Sequence, residues 1–237
     1  MSLRAENVAF AYQGTGVLTD ASLTAQRGSV TALLGRNGAG KSTLLKQFNG
    51  LLQPDAGRVL VDGTPVTHDE ERLRSIRSQV GFLFQNPADQ LIAPTVRQEV
   101  TFGPRNLGIE GTVDVEAALD RVGLAGTGDR HPHTLSNGEK KRVALASVLV
   151  MDPDYVVMDE PTAGLDGDGA AQFVSLVEDL VDAGVTVLLS THHVGFAEAV
   201  ADHLAVLDGG EIAYEGTAID RKTAARFGLR TWGFEGR

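Results

Sequence analysis

The 237-residue chain has no cysteine. That excludes a disulfide scaffold, zinc–thiolate and iron–sulfur sites and thiol catalysis, and it fits a reducing compartment. No stretch approaches about 18 consecutive apolar residues, so no segment has the length of a membrane-spanning helix. The opening residues Met1 to Glu6 lack the apolar run of a secretory signal. These absences predict a soluble, cytoplasmic chain whose membrane role, if any, comes through a partner. Lysine is scarce, 5 against 16 Arg, and 18 Asp and 13 Glu bring the formal net charge to −10. That charge disfavours a broad electrostatic grip on DNA or RNA, so no nucleic-acid partner is expected; it leaves room for a local basic pocket for phosphate. An acidic, lysine-poor surface also stays soluble at high salt, as in a halophile, although codon bias yields the same composition.

Strand and helix patterns alternate almost from end to end. Val8 to Tyr12 and Ser29 to Leu34 read as strands, followed by a glycine-rich turn and a helix from about Lys41 to Gly50. Gly57 to Val61 reads as a strand closed by the turn Asp62-Gly63, and Gln79 to Phe84 as another. The stretch from Asn86 to about Met151 is more polar and mostly helical in its spacing. Tyr155 to Met158 and Val185 to Leu189 are short, β-branched and apolar, as buried parallel strands are, with a helix Gly169 to Ala183 between them. Leu204 to Leu207 and Ile212 to Tyr214 form a hairpin across Gly209-Gly210. This order predicts an α/β architecture with a largely parallel sheet. The early strands are expected to form a separate antiparallel piece and the helical middle, about 86–151, an inserted subdomain. The domain is expected to span 1–217, with a tail at 218–237 that holds the only tryptophan, Trp232.

Three motifs carry chemistry. Gly35-Arg36-Asn37-Gly38-Ala39-Gly40-Lys41-Ser42 fits the G-x-x-x-x-G-K-[ST] pattern, directly after an apolar strand and opening a helix. Glycines let successive amides wrap a polyphosphate, and the helix N-terminus adds partial positive charge. Lys41 would pair with the β- and γ-phosphates, and the Ser42 hydroxyl would ligate Mg²⁺. The second motif, Tyr155 to Glu160, is an apolar strand ending in two carboxylates. Asp159 is the candidate for holding Mg²⁺, directly or through its ligands, and Glu160 is the candidate base for the attacking water. The third, Leu135 to Glu139, reads as a capping box, Ser136 with Glu139, which also presents amides and a hydroxyl to an anion.

As an ordered set these motifs resemble an ATP-binding-cassette (ABC) ATPase over roughly residues 3–215. Gly35 to Thr43 is similar to the Walker A motif, Leu135 to Glu139 to the signature, Tyr155 to Glu160 to Walker B, and Ala163 to Asp166 to the D-loop. Gln85 falls at the Q-loop, His192 at the switch histidine, and Tyr12 at the aromatic that stacks on adenine. The resemblance implies a P-loop NTPase (RecA-like) core, an antiparallel β subdomain and an inserted helical subdomain. It implies catalytic roles for Glu160, His192 and Gln85, with Mg²⁺ held by Ser42 and Gln85 together with Asp159. It also implies a head-to-tail dimer, with itself or a related ATPase, in which Ser136 and Gly138 complete the partner's site, and it counts Asp166 among the nucleotide-binding residues. Two positions depart from the family pattern. Asn137 stands where a glycine is usual, tolerable because Asn accepts left-handed torsions and can cap; His193 stands where Asp is common.

Gln85 to Gln90, Thr95-Val96, Glu99-Val100, Phe102-Gly103-Pro104, Asn106 to Gly108 and Glu139 to Ala144 resemble the ATPases of energy-coupling-factor importers. That subgroup takes up cobalt, nickel or water-soluble vitamins, and its membrane subunits would dock near Gln85–Gly108 and hold the chain at the cytoplasmic face of the membrane. The alternative is a soluble ABC ATPase of DNA repair or translation. Those usually carry coiled-coil insertions or a second cassette, for which 237 residues leave no room.

Overall fold

The computed structural model describes residues 1–108 and 113–229. Trp232 and the rest of 230–237 lie outside the described residues. Five parallel strands form one end of the sheet. They are β3 (Val30–Leu34), β6 (Val80–Leu83), β7 (Tyr155–Asp159), β8 (Thr186–Thr191) and β9 (His203–Asp208), ordered β9-β3-β8-β7-β6. β3 and β7 are buried at every residue, which explains their short, uninterrupted apolar runs. Alternate residues serve two cores. Leu33, Tyr155, Val157 and Leu188 face α1 (Lys41–Phe48) and the antiparallel strands, while Ala32, Leu34, Val156, Met158, Val187 and Leu189 face the other helices.

The antiparallel piece is built from β1 (Ser2–Tyr12), β2 (Thr15–Gln26), β4 (Ala56–Val61) and β5 (Thr64–Pro65). One early strand is assigned differently from the sequence expectation: β3 pairs with β8 and β9 in the parallel sheet, although no helix separates it from β2. The reason is burial. β2 alternates buried and exposed residues, as a strand with one wet face does, whereas β3 needs cover on both faces. β10 (Glu211–Gly216) turns back on β9 and meets β2 at one register pair, Glu211 with Asp20. That contact joins the two pieces into one ten-stranded sheet.

Helix α2 (Glu70–Gln79), capped by Asp69, precedes β6. Between β6 and β7 lie α3 (Val96–Leu107), α4 (Val115–Asp120) and α5 (Asn137–Leu149). Helix α6 (Gly167–Asp182) links β7 to β8, and α7 (Val194–Val200) links β8 to β9. After β10, α8 (Arg221–Arg226) and its flanks bury Ile219, Ala224, Phe227 and Leu229 in the larger core. The first part of the tail is thus packed on the domain.

Parallel strands end together: Leu34 is in register with Thr191, and Asp159 with Ser190. The turns that follow these ends converge on one edge of the sheet, where open α/β sheets bind ligands.

Candidate nucleotide site

β3 delivers the chain into the P-loop at Gly35. A β-carbon at Gly35 would sit 2.7 Å from the Leu207 carbonyl oxygen, so the neighbouring strand admits only glycine there. Gly40 has φ +103 and is the N-cap of α1; with no side chain, it makes no side-chain cap to the first helical amides. Lys41 is 6% exposed, and its ammonium donates to the Gly35 carbonyl at 2.8 Å and the Arg36 carbonyl at 3.3 Å. It also lies 3.2 Å from Glu160 Oε1, an ion pair without hydrogen-bond alignment.

Glu160 follows directly on β7. It is buried and, unusually for a non-glycine, has φ +45. Its amide donates to Ser190 Oγ at 3.0 Å and to the Ser190 carbonyl at 3.2 Å. Its Oε2 lies 3.0 Å from His192 Nδ1, so carboxylate, ammonium and imidazole form one chain of contacts. Asp159 turns to the other side, and its Oδ1 accepts the Ser190 hydroxyl at 2.6 Å.

A cavity of about 480 Å³ opens over this group, lined among others by Tyr12, Gly38, Lys41, Ser42, Gln85, Glu160 and His192. That volume suits a nucleotide-sized ligand. Asn37, Gly40 and Thr43 also border it, whereas Gly35, Arg36 and Ala39 do not. Asp159 does not line it. Tyr12, 46% exposed, stands at the rim with its ring edge-on to Phe10, 4.8 Å between centroids.

Ser136, Gly138 and Asp166 are elsewhere. They line a second cleft of about 380 Å³ with Asn137, Arg142 and Gln172. Ser136 closes a full capping box: its Oγ accepts the Glu139 amide at 3.2 Å, and Glu139 Oε2 accepts the Ser136 amide at 2.7 Å. Arg130 binds the other Glu139 oxygen at 2.7 Å. That box and the Arg130 pair hold the Glu139 carboxyl below the ordinary carboxylate range. Asp166 caps α6 through the Gly169 amide at 2.8 Å. The reason given above for tolerating Asn137 needs correction. Asn137 is the first residue of α5 and has no left-handed torsion; the capping is done by Ser136. A side chain is accepted here because position 137 is itself exposed.

The ABC transporter family model matches residues 18–163, which include the P-loop, the capped helix and the paired carboxylates. The chain belongs to the ABC transporter ATPases. It is an ATP-binding, ATP-hydrolysing transporter subunit. It is 47% identical to the energy-coupling factor transporter ATP-binding protein EcfA of Methanoculleus marisnigri, over 91% of this chain and 79% of that one. It is also 47% identical to EcfA of Methanocaldococcus jannaschii, over 86% of this chain and 74% of that one. The structure of cbiO1 from Clostridium perfringens, part of the ABC transporter complex cbiONQ, aligns with a TM-score of 0.81 and 37% identity, covering 91% of this chain and 88% of that chain.

Two residues of this ABC ATPase escaped the sequence reading. Ser190 bridges Asp159 and the Glu160 amide, a role that no local pattern announces. Lys141 reads as one of a basic run, Lys140-Lys141-Arg142, which on a helix is usually a solvated face. It is instead buried, and its ammonium donates to three backbone carbonyls, those of Glu160, Pro161 and Ala163. No spacing set it apart: Lys140 and Arg142 stand equally three and four residues before buried residues of α5. Burial pushes its pKa down to about 8, against the opposing pull of Glu160 and Asp159, so it stays charged at neutral pH.

Proposed function

We propose that this ABC ATPase powers an energy-coupling-factor importer for cobalt, nickel or a water-soluble vitamin, working as a head-to-tail dimer at the cytoplasmic face of the membrane. The similarity to EcfA and to cbiO1 supports the importer type. One observation carries the dimer. The P-loop, Gln85, Glu160 and His192 share one cavity, while Ser136, Gly138 and Asp166 line another. Each chain thus carries half of two sites, and since neither half lacks a motif residue, a second copy of the chain or a related ATPase would complete both.

Within a site, Lys41 would bind the β- and γ-phosphates and Tyr12 would stack on the base. The ammonium now pairs with Glu160. A polyphosphate that draws Lys41 to itself leaves the Glu160 carboxylate to accept a proton from water, with His192 orienting it. Ser42 and Gln85 offer hard oxygen donors to the same cavity, a set that fits Mg²⁺, while Asp159, held by the Ser190 hydroxyl, does not line it. Bound there, Mg²⁺ would neutralise phosphate charge. Ser136 and Gly138 would contact the γ-phosphate of the partner's nucleotide, giving ATP a higher affinity for the closed dimer.

We assign the ATPase domain to 1–217, with a helical lobe over about 86–151, and the tail to 218–237. Membrane subunits would dock near Gln85–Gly108. There Ile92 and Phe102 are exposed beside Leu51 and Met151, around a groove of about 510 Å³. The test is affinity purification of the tagged chain from mildly solubilised native membranes. A helical membrane scaffold together with a small substrate-binding membrane protein is the expected catch. Only soluble or nucleic-acid partners would overturn the importer assignment and leave the ATPase standing.

A further inference from the structure

One buried charge has no part in the chemistry above. Lys141 is 2% exposed, in the second turn of α5. Its ammonium donates to the carbonyls of Glu160 at 3.1 Å, Pro161 at 2.9 Å and Ala163 at 2.8 Å. Three donors meet three acceptors, so the group is saturated. Burying an ammonium costs several kcal/mol, and here that cost is offset by three backbone carbonyls that an apolar side chain would leave without this donor. A charge kept here serves something other than packing.

The three carbonyls belong to one short stretch, the turn that leaves β7. It starts with Glu160 in the left-handed region, which costs a non-glycine residue roughly 1 kcal/mol or more. That torsion sends the carboxylate toward Lys41 and His192, while Asp159 one residue earlier faces Ser190. The Glu160 backbone is held at both ends. Ser190 accepts from its amide, and its carbonyl accepts from Lys141 and from the Ala163 amide.

We propose that Lys141 is a positioning residue: its ammonium locks the left-handed turn that aims the Glu160 carboxylate. The inference rests on the reading of Glu160 as the base. It has a consequence for the dimer. Ser136, the residue that caps helix α5, serves the partner's nucleotide in that reading, so Lys141 ties that helix to the base of its own chain. A shift of α5 on closure reaches Glu160 through one ammonium.

The test uses the purified full chain. ATP turnover, MANT-ATP affinity and thermal unfolding are measured for Lys141→Met and Lys141→Gln, alone and combined with Glu160→Gln; residual turnover in that background is read from radiolabelled ATP. Lys141→Met is expected to lower kcat about a hundredfold, the scale of an ångström-sized misplacement, with MANT-ATP Kd changed less than about twofold. Lys141→Gln is neutral but keeps two donors, and it is expected to lose only about fivefold. Both losses are expected to vanish in the Glu160→Gln background, where there is no carboxylate left to aim. If Lys141→Met does not fold, Lys141→Gln carries the same comparison. Wild-type turnover in a folded Lys141 variant would overturn the proposal, as would the same loss with and without the carboxylate. Full turnover in Glu160→Gln alone would overturn the assignment of Glu160, whatever Lys141 does.

Discussion

The two half-sites of this chain are built in opposite ways. Around Glu160 the polar groups are tied to one another: the buried Lys41 ammonium and the half-buried His192 ring both contact the buried carboxylate, and all three line one cavity. Around Ser136 the polar groups are mostly spent on the chain's own backbone, through two helix caps, and the surface above them is open. The first half is poised for chemistry on a ligand bound within the chain. The second is stiffened so that it can be presented to something outside. A rigid donor face needs no rearrangement when it meets an anion, which makes its contacts worth more on closure.

Breaking the first half has the largest effect. Glu160→Gln is expected to lower ATP turnover by about a hundredfold or more, the usual scale for loss of a general base, while nucleotide still binds; phosphate release and MANT-ATP titration check the two separately. Undiminished hydrolysis would remove Glu160 from its role. Lys41→Ala removes the charge that meets phosphate, and MANT-ATP affinity is expected to fall about tenfold or more, the value of a charge-assisted hydrogen bond. Breaking the second half gives the converse pattern. Ser136→Ala is expected to leave MANT-ATP affinity of the dilute chain unchanged, to reduce turnover about tenfold, and to destabilise α5 by about 1 kcal/mol through the lost cap, read by urea unfolding.

The smallest effect sharpens the contrast. Glu139→Gln keeps an acceptor for the Ser136 amide but gives up the Arg130 pair, so it is expected to cost under about 1 kcal/mol near pH 7. Its pH dependence has a definite sign. The Glu139 carboxyl is held below its ordinary 4.5, chiefly by the Ser136 amide and then by Arg130. Its contribution is therefore present above that value and lost as pH falls through the lowered one. The wild-type advantage over Glu139→Gln is expected to close in that acid range, which urea unfolding at a series of pH values would show.

Much of this was legible in the residues. The P-loop announced itself by spacing, and the buried strands by short unbroken apolar runs. The capping box was visible as Ser136 with Glu139. Other features depended on contacts between segments far apart in sequence. β3 was read with the antiparallel strands because sequence proximity outweighed its two-sided burial. The partnership of Ser190 with Asp159 and Glu160 comes from strand register, which no single segment encodes. Lys141 was hidden by its charge: a basic run suggests solvent until three facing carbonyls are seen.

The central claim is that each chain lends its capped face to the other's phosphate loop. Because the chain has no cysteine, single cysteines report on this directly. Asn37→Cys and Asn137→Cys, both at exposed positions and each in a Glu160→Gln chain, would be mixed and treated with a short bismaleimide. With ATP and Mg²⁺ the account predicts a cross-linked species of twice 25.0 kDa that neither variant forms alone and that is lost without nucleotide. No cross-link with ATP, or one that forms equally without it, would contradict the account.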